Sequence, residues 1–339
     1  MSPVEQREVE PDGEAQRLDR WFRRHYPQVT QGRLERMCRK GEVRVDGARV
    51  RPATRLVAGQ TVRVPPLPAA PPPAAPPAPI AAAEAERIRR AVLFRDGEVI
   101  ALNKPPGLAV QGGTGQRAHV DALAPALQFE ASAPPRLVHR LDKDTSGVLL
   151  LARTGRAAAA LAKAFRARET RKIYWAAVAG VPSPRAGIIR YGLSKGGDER
   201  MHVVAPDEVE AHGEAKHATT EYMVLEAAGR RTAWVAMRPV TGRTHQLRAH
   251  MAALGHPIVG DGKYGGNAQV NLGDGWGAQL GGAVSRKLHL HARMLTIAHP
   301  DGRGALTVTA PLPEHMARTW ALFDWSVEAA PADPFLEEA

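Results

Sequence analysis

Apolar residues recur at helical spacing near the start of the chain. Leu18, Trp21 and Phe22 form one stripe, and Leu34 and Met37, three apart, predict a second helix over Gln31 to Arg39. Gly41 ends that helix. Val43 and Val45 then alternate as a short strand, Asp46-Gly47 marks a turn, and Thr61 to Val64 reads as another strand. Further along, apolar or alternating runs predict strands over Val99 to Leu102, Gly147 to Ala152, Ile173 to Val178, Glu221 to Leu225, Ala233 to Met237 and Ala305 to Thr309. An alanine-rich helix is expected over Arg156 to Arg168 with Leu161 and Phe165 inward, and another over Gln246 to Leu254 with Leu247, Met251 and Leu254 on its apolar face. Gly255 and Pro257 stop the latter. Strands and helices do not alternate regularly, which predicts an α+β body around a mixed sheet.

Between Val64 and Glu84 the chain reads PPLPAAPPPAAPPAPIAAA, which can donate few ladder hydrogen bonds and favours extended polyproline geometry. The expected organisation is therefore a disordered start over 1–13, a small α+β module over 14–64, a semi-rigid spacer over 65–84, a large module over 85–325 and an acidic, disordered tail over 326–339. At 339 residues the chain is long enough for two such domains.

Charge changes the picture next. The formal net charge is +11, and residues 14–64 hold 13 Lys or Arg against 5 Asp or Glu, so +8 of the excess sits in the small module. A polyanionic partner, with nucleic acid foremost, is the implication. The single cysteine, Cys38, excludes an internal disulfide and a zinc site of paired cysteines, and fits a reducing cytoplasm. The polar, acidic first residues and the lack of any long apolar run point to a soluble, unexported protein with no membrane partner, expected as a monomer.

Three runs could carry chemistry. HRLDKDTSG, His139 to Gly147, sets Asp142 among an arginine, a lysine and turn formers just before an apolar strand, with Asp144 as a local competitor that spacing alone cannot exclude. RKIYWA, Arg171 to Ala176, places Lys172 and Tyr174 on one face of a strand and Ile173 and Trp175 on the other. GRTHQLRAHMAALGHPIVGD, Gly242 to Asp261, carries Arg248 on a helix. His245 and His250 lie five apart there, which turns them away from one another and argues against a metal site.

Taken in order, these runs resemble the pseudouridine synthases of the RluA family, and RLDRWFRRH, RLERMCRKGEVRVDG and AGQTVRV resemble an S4-type RNA-binding domain. The resemblance spans most of residues 14–325. It implies the pseudouridine synthase fold, with a largely antiparallel sheet and the cleft across it. It also implies isomerisation of uridine to its C-glycoside without a cofactor. In that chemistry the glycosidic bond breaks, the base turns and a carbon rejoins the sugar, which calls for a carboxylate, a flat surface and nearby cations. By resemblance, Asp142 is the catalytic carboxylate, Tyr174 stacks on the uracil and Arg248 pairs with the carboxylate. Arg140 enters the RNA stack where the base leaves, and Lys172 and Leu247 contact substrate. Asn103 to Leu108 and Arg286 to Leu295 resemble supporting segments. Arg33, Arg36, Arg39, Lys40 and Arg44 would line a phosphate-binding face. The pairing of modules points to the type C branch, which acts on large-subunit ribosomal RNA, free or in a pre-ribosomal particle. A catalytically silent RNA-binding assembly factor on the same fold is the alternative, and a hydrolase using Asp142 and a histidine a more remote one. The glycine-rich stretch Gly260 to Gly282 is longer than the family requires.

Overall fold

The computed structural model describes residues 4–10, 16–67, 80–112, 118–196, 200–265, 283–331 and 333–336, which divide into two compact units, Met1–Pro79 and Ile80–Ala339. The predicted Pro/Ala spacer falls mostly on residues 68–79, outside the described residues, as does much of the glycine-rich stretch.

In the first unit, β1 (Glu5–Glu8) and β2 (Gln16–Arg17) precede α1 (Leu18–His25) and α2 (Gln31–Lys40). Four short strands follow: β3 (Arg44–Val45), β4 (Ala48–Arg49), β5 (Arg55–Leu56) and β6 (Thr61–Val64). Thr30 caps α2 by accepting from the Arg33 N–H, and Gly41 closes it in the left-handed conformation at φ 72°. Asp46 and Gly47, both at positive φ, make the tight turn between β3 and β4. The core gathers Leu18, Trp21 and Phe22 from one helix, Leu34 and Met37 from the other, and Val43, Val45, Leu56, Val62 and Val64 from the strands. Contrary to the disorder expected over 1–13, Glu5–Glu8 pairs antiparallel with Thr61–Val64, Val9 is buried, and the Tyr26 hydroxyl donates to Glu5 at 2.8 Å. Likewise Leu67, at the head of the expected spacer, belongs to this core.

The second unit opens with α3 (Ala82–Arg90), so the end of the expected spacer is helical, with Ala85 and Ile88 buried. Next come β7 (Val92–Arg95), β8 (Val99–Lys104), α4 (Val120–Leu123), β9 (Arg136–Leu137), β10 (Ser146–Ala152), α5 (Gly155–Ala167) and β11 (Arg171–Ala179). After them run β12 (Ala186–Lys195), β13 (Met201–Val204), β14 (Lys216–Ala228), β15 (Thr232–Pro239), α6 (Gln246–Ala253), β16 (Leu290–Ala298), β17 (Ala305–Thr309) and α7 (Glu314–Leu322). One sheet runs β13-β12-β14-β15-β11-β16-β10-β8-β7, with β17 beside β16 and β9 beside β10. Every pairing in it is antiparallel except β10 with β16. The α+β class and the mixed, largely antiparallel sheet agree with the sequence reading.

That parallel junction depends on one residue. A Cβ on Gly147, which sits at φ 109°, would lie 2.2 Å from the Ala292 carbonyl oxygen. Gly147 therefore does more than shape the turn after Asp142: it lets two strands approach. Next to it, the Ser146 hydroxyl lies 2.9 Å from His291 Nδ1, while His291 Nε2 lies 3.1 Å from the Ala310 carbonyl. A carbonyl can only accept, so Nε2 carries the hydrogen and Nδ1 accepts from Ser146.

On the far face of the central strands, Trp175 meets Trp234 edge-on at 4.6 Å, and Trp320 and Trp325 complete the cluster. Residues beyond α7 join it. Val327, Ala330 and Phe335 pack there, and Arg171 pairs through two nitrogens with the buried carboxylate of Asp333. Among the described residues, the tail expected to be disordered forms a strap on the sheet through Val327, Ala330, Asp333 and Phe335, because its few apolar side chains have a prepared surface to cover.

Candidate active site

Asp142 stands in the loop between β9 and β10, and the loop is fixed from beneath. Lys104, at the end of β8, is fully buried, and its Nζ donates at 2.9 Å to the carbonyls of Pro105, Leu108 and Lys143. The ammonium thus ties the Asn103–Leu108 segment to the residue that follows Asp142. Burial pulls Lys104 down to about 7, while Asp144 and Asp142 act in the opposite direction. His139 anchors the other side of the loop: its Nε2 accepts from the Leu150 N–H at 2.8 Å, and its ring stacks on Phe165 at 4.3 Å.

Asp142, Tyr174 and Arg248 line one cavity of about 310 Å³, together with Arg140, Lys172, Leu247 and the Pro239–Arg248 segment. All six residues expected at the substrate therefore converge. Tyr174 and Lys172 share the cavity face of β11 as alternation predicts, while Trp175 points into the tryptophan cluster. A register shift against β16 falls between Ile173 and Tyr174 and re-aims the strand at this point. Burial first, and the Asp142 charge second, hold the Tyr174 phenol well above its ordinary range, so it is a neutral, flat surface. Burial, reinforced by the Arg168 charge, lowers Lys172.

Arg248 makes the expected ion pair with Asp142 and a tighter one with Asp261. Its Nε and Nη2 each donate at 2.7 Å to the two oxygens of Asp261, and Asp142 is a looser neighbour at 3.9 Å from Nη1. Although burial opposes its charge, the Asp261 pair raises Arg248 further. Asp261 also accepts from the N–H groups of Lys263 and Tyr264. The guanidinium is thus clamped by one carboxylate and presents its remaining edge to another.

Two residues beside Asp142 were missed. His245, at φ 50° just ahead of α6, has Nε2 3.9 Å from the Asp142 carboxylate and Nδ1 3.0 Å from the Tyr264 hydroxyl. Tyr264 also accepts from the Met201 N–H at 2.8 Å and lies under the Arg248 guanidinium, 5.2 Å from ring centre to charge. Burial lowers His245 despite Asp142, leaving a neutral imidazole. The carboxylate favours the tautomer with hydrogen on Nε2, in which Nδ1 accepts from Tyr264. The turn before α6 is set by Gln246, which accepts from the Thr241 hydroxyl and the Arg243 N–H and donates to Thr219 and Thr220. His250, the other histidine in that run, is fully buried and turned to Thr220 instead.

In the first unit, Arg33, Arg36, Arg39 and Lys40 are exposed on α2, and Arg33 and Arg36 border a shared depression. Arg44 differs: it donates to the Gly41 and Gly47 carbonyls and so holds the β3–β4 turn. Among the described residues no group of three His, Cys, Asp or Glu side chains is arranged to hold a metal ion, and no helix is long and apolar enough to cross a membrane.

Comparison with known proteins agrees with this architecture. An S4 domain model matches residues 16–62, and an RNA pseudouridylate synthase model matches residues 98–253. The Ribosomal large subunit pseudouridine synthase C of Vibrio cholerae is 34% identical, covering 91% of this chain and 93% of its own. Its Escherichia coli K12 namesake is 35% identical over the same shares. RNA pseudouridine synthase 4, mitochondrial, of Arabidopsis thaliana is 34% identical, covering 91% of this chain and 80% of its own. Among solved structures, Human RNA Pseudouridylate Synthase Domain Containing 4 superposes with a TM-score of 0.56 at 30% identity, covering 71% of this chain and 95% of that one. Fold and relatives define an RNA-modifying enzyme of the isomerase class. The chain belongs to the RluA family of RNA pseudouridine synthases and carries an S4 domain ahead of its catalytic body.

Proposed function

We propose that this chain converts uridine to pseudouridine at specific positions of large-subunit ribosomal RNA, with Asp142 as the acting carboxylate. What supports the reading is the convergence of Asp142, Tyr174 and Arg248 on one small cavity. A swung-out uracil lies over the neutral Tyr174 ring, beside a carboxylate with a guanidinium and an imidazole 3.9 Å from it. Arg140, exposed at the cavity mouth, occupies the place the base has left. Lys172 and Leu247 contact the nucleotide, and Arg33, Arg36, Arg39 and Lys40 hold backbone phosphates on the S4 domain. No redox or hydrolytic step is involved, because every atom of uridine is retained. Large-subunit RNA as target is supported by the names of the bacterial relatives, which match nearly the full chain. Those names also support action in the compartment that holds the ribosomes.

The test is to map pseudouridine in ribosomal RNA incubated with the parent protein and with Asp142→Asn. The parent is expected to form it, and the nearly isosteric, uncharged variant to lose turnover by at least about a thousandfold while RNA affinity stays within a few fold. Substantial turnover by the variant would overturn the role of Asp142. Tight RNA binding by the parent without any pseudouridine would favour the silent assembly factor.

A further inference from the structure

The candidate cavity shares part of its wall with a neighbouring depression. Thr241 and Arg243 also line a second depression, about 630 Å³ in volume, that runs over β14 and the end of α5. Arg168, Lys216 and His217 stand in it, and among its described residues Glu210 is the sole carboxylate. Arg243 is fixed at the boundary, because its Nε donates to the His217 carbonyl at 3.2 Å and leaves the terminal nitrogens for other partners.

Arg168 occupies a notable backbone position. It follows the last residue of α5 in the left-handed conformation, φ 61°, with its N–H on the Ala164 carbonyl. Glycine is the usual residue there, and any other side chain carries strain. An arginine at such a place keeps a long cation where the helix end would be easier to form without it. Lys172, four residues on, faces the first cavity from β11, and its lowered pKa marks both its burial and the nearness of Arg168. Among the described residues no carboxylate forms an ion pair with Lys172, Arg168 or Arg243. Lys172 and Arg168 repel one another, Arg243 lines a cavity with each of them, and an anion bound between them relieves that repulsion.

We infer that Lys172, Arg168 and Arg243 form a seat for one backbone phosphate of the RNA strand, next to the nucleotide held in the cavity. The seat rests on the proposed function for the identity of its ligand. A phosphodiester is the anion that an RNA strand entering the cavity brings to this place, and a lysine and a forked guanidinium can share its two oxygens. The seat would also fix the direction in which the strand leaves the cavity, toward α5 and β14.

The test takes the full chain and a ribosomal RNA stem-loop that it binds, and replaces the phosphates around the modified uridine one at a time by neutral methylphosphonates. At one linkage beside the target, neutralisation should weaken binding to the parent protein roughly tenfold. Lys172→Met and Arg168→Ala should each bind charged and neutral strands at that linkage with affinities within about twofold, and their salt slope should fall by about one. Arg168 is exposed, so its variant decides the matter if Lys172→Met fails to fold. If every linkage that matters to the parent matters equally to both variants, there is no such seat. Binding is the readout, so the seat is judged even where no pseudouridine forms. Pseudouridine assayed in the same RNA judges the proposed function separately.

Discussion

A lysine sealed from water needs a reason to be charged. Three carbonyl oxygens at 2.9 Å from Lys104 Nζ supply one, because only the ammonium has three hydrogens to give. Burial pulls the same group toward neutrality, but each carbonyl would then lose a donor, and that holds the ammonium in place. Lys104→Met keeps the stem and removes the donors, so it should destabilise the protein by about 3 kcal/mol or more in urea unfolding. It should also lower turnover more than RNA affinity, because the Lys143 carbonyl beside Asp142 loses its tether. An unchanged unfolding midpoint would show that water replaces the ammonium. At this scale much of the site was legible in the sequence. Asp142, Tyr174, Arg248, Arg140, Lys172 and Leu247 lie in contiguous motifs and meet at one cavity. The tighter Arg248–Asp261 pair was not legible, although Asp261 closes the same run, because distance along a helix and its following loop does not say which further carboxylate a guanidinium will reach. His245 was read only as a poor metal ligand. Its place beside Asp142 follows from a left-handed turn that composition does not announce, and its partner Tyr264 is remote from Asp142 in the chain.

Among elements, the β10–β16 junction is the most constrained. Gly147→Ala would drive a Cβ against the backbone of Ala292, which cannot retreat as a flexible side chain would, at a φ that alanine resists. A loss of about 3 kcal/mol or more is expected in chemical denaturation, with turnover impaired at temperatures where the protein remains folded, since the strand directly follows the Asp142 loop. Near-normal stability would mean that the two strands can part without consequence. Apolar strands such as β10 and β15 were readable because both faces are buried and their runs are continuous. Strand β12 was not, since Gly187, Arg190 and Gly192 interrupt its apolar residues and Ile188 beside the buried Ile189 is exposed. Acidic and proline content likewise made the last residues read as disordered, where Asp333 and Phe335 find Arg171 and the tryptophan face.

Over the whole molecule, pH acts through histidines that folding keeps neutral. His289 and His250 are pushed down to about 4 and His291 to about 3, in each case chiefly by burial. These are bases whose folded pKa lies below the unfolded value of about 6.5. Between those limits the unfolded chain binds more protons, so stability is full above about pH 6.5 and drains away as the pH falls toward 4. Each histidine contributes a slope of up to about 1.4 kcal/mol per pH unit within that window. Urea midpoints should therefore drop steeply from about pH 7 to about pH 5, and His291→Asn should flatten the decline. A flat profile would mean that the imidazoles take up protons without unfolding. A division into two units was legible from the proline run, and the fold class from the irregular order of strand and helix signals, but protonation behaviour depends on which histidines the sheet encloses, and that is a property of the assembled layers.

The indoles of Trp234, Trp320 and Trp325 lie within about 6 Å of one another, and Trp325 stands at the root of the strap, directly after α7. Peeling the strap would uncover that cluster and wet the Trp325 ring. The molecule therefore contains its own optical reporter: a shift of tryptophan emission to longer wavelength that precedes loss of sheet ellipticity would mark release of the last residues as a separate event.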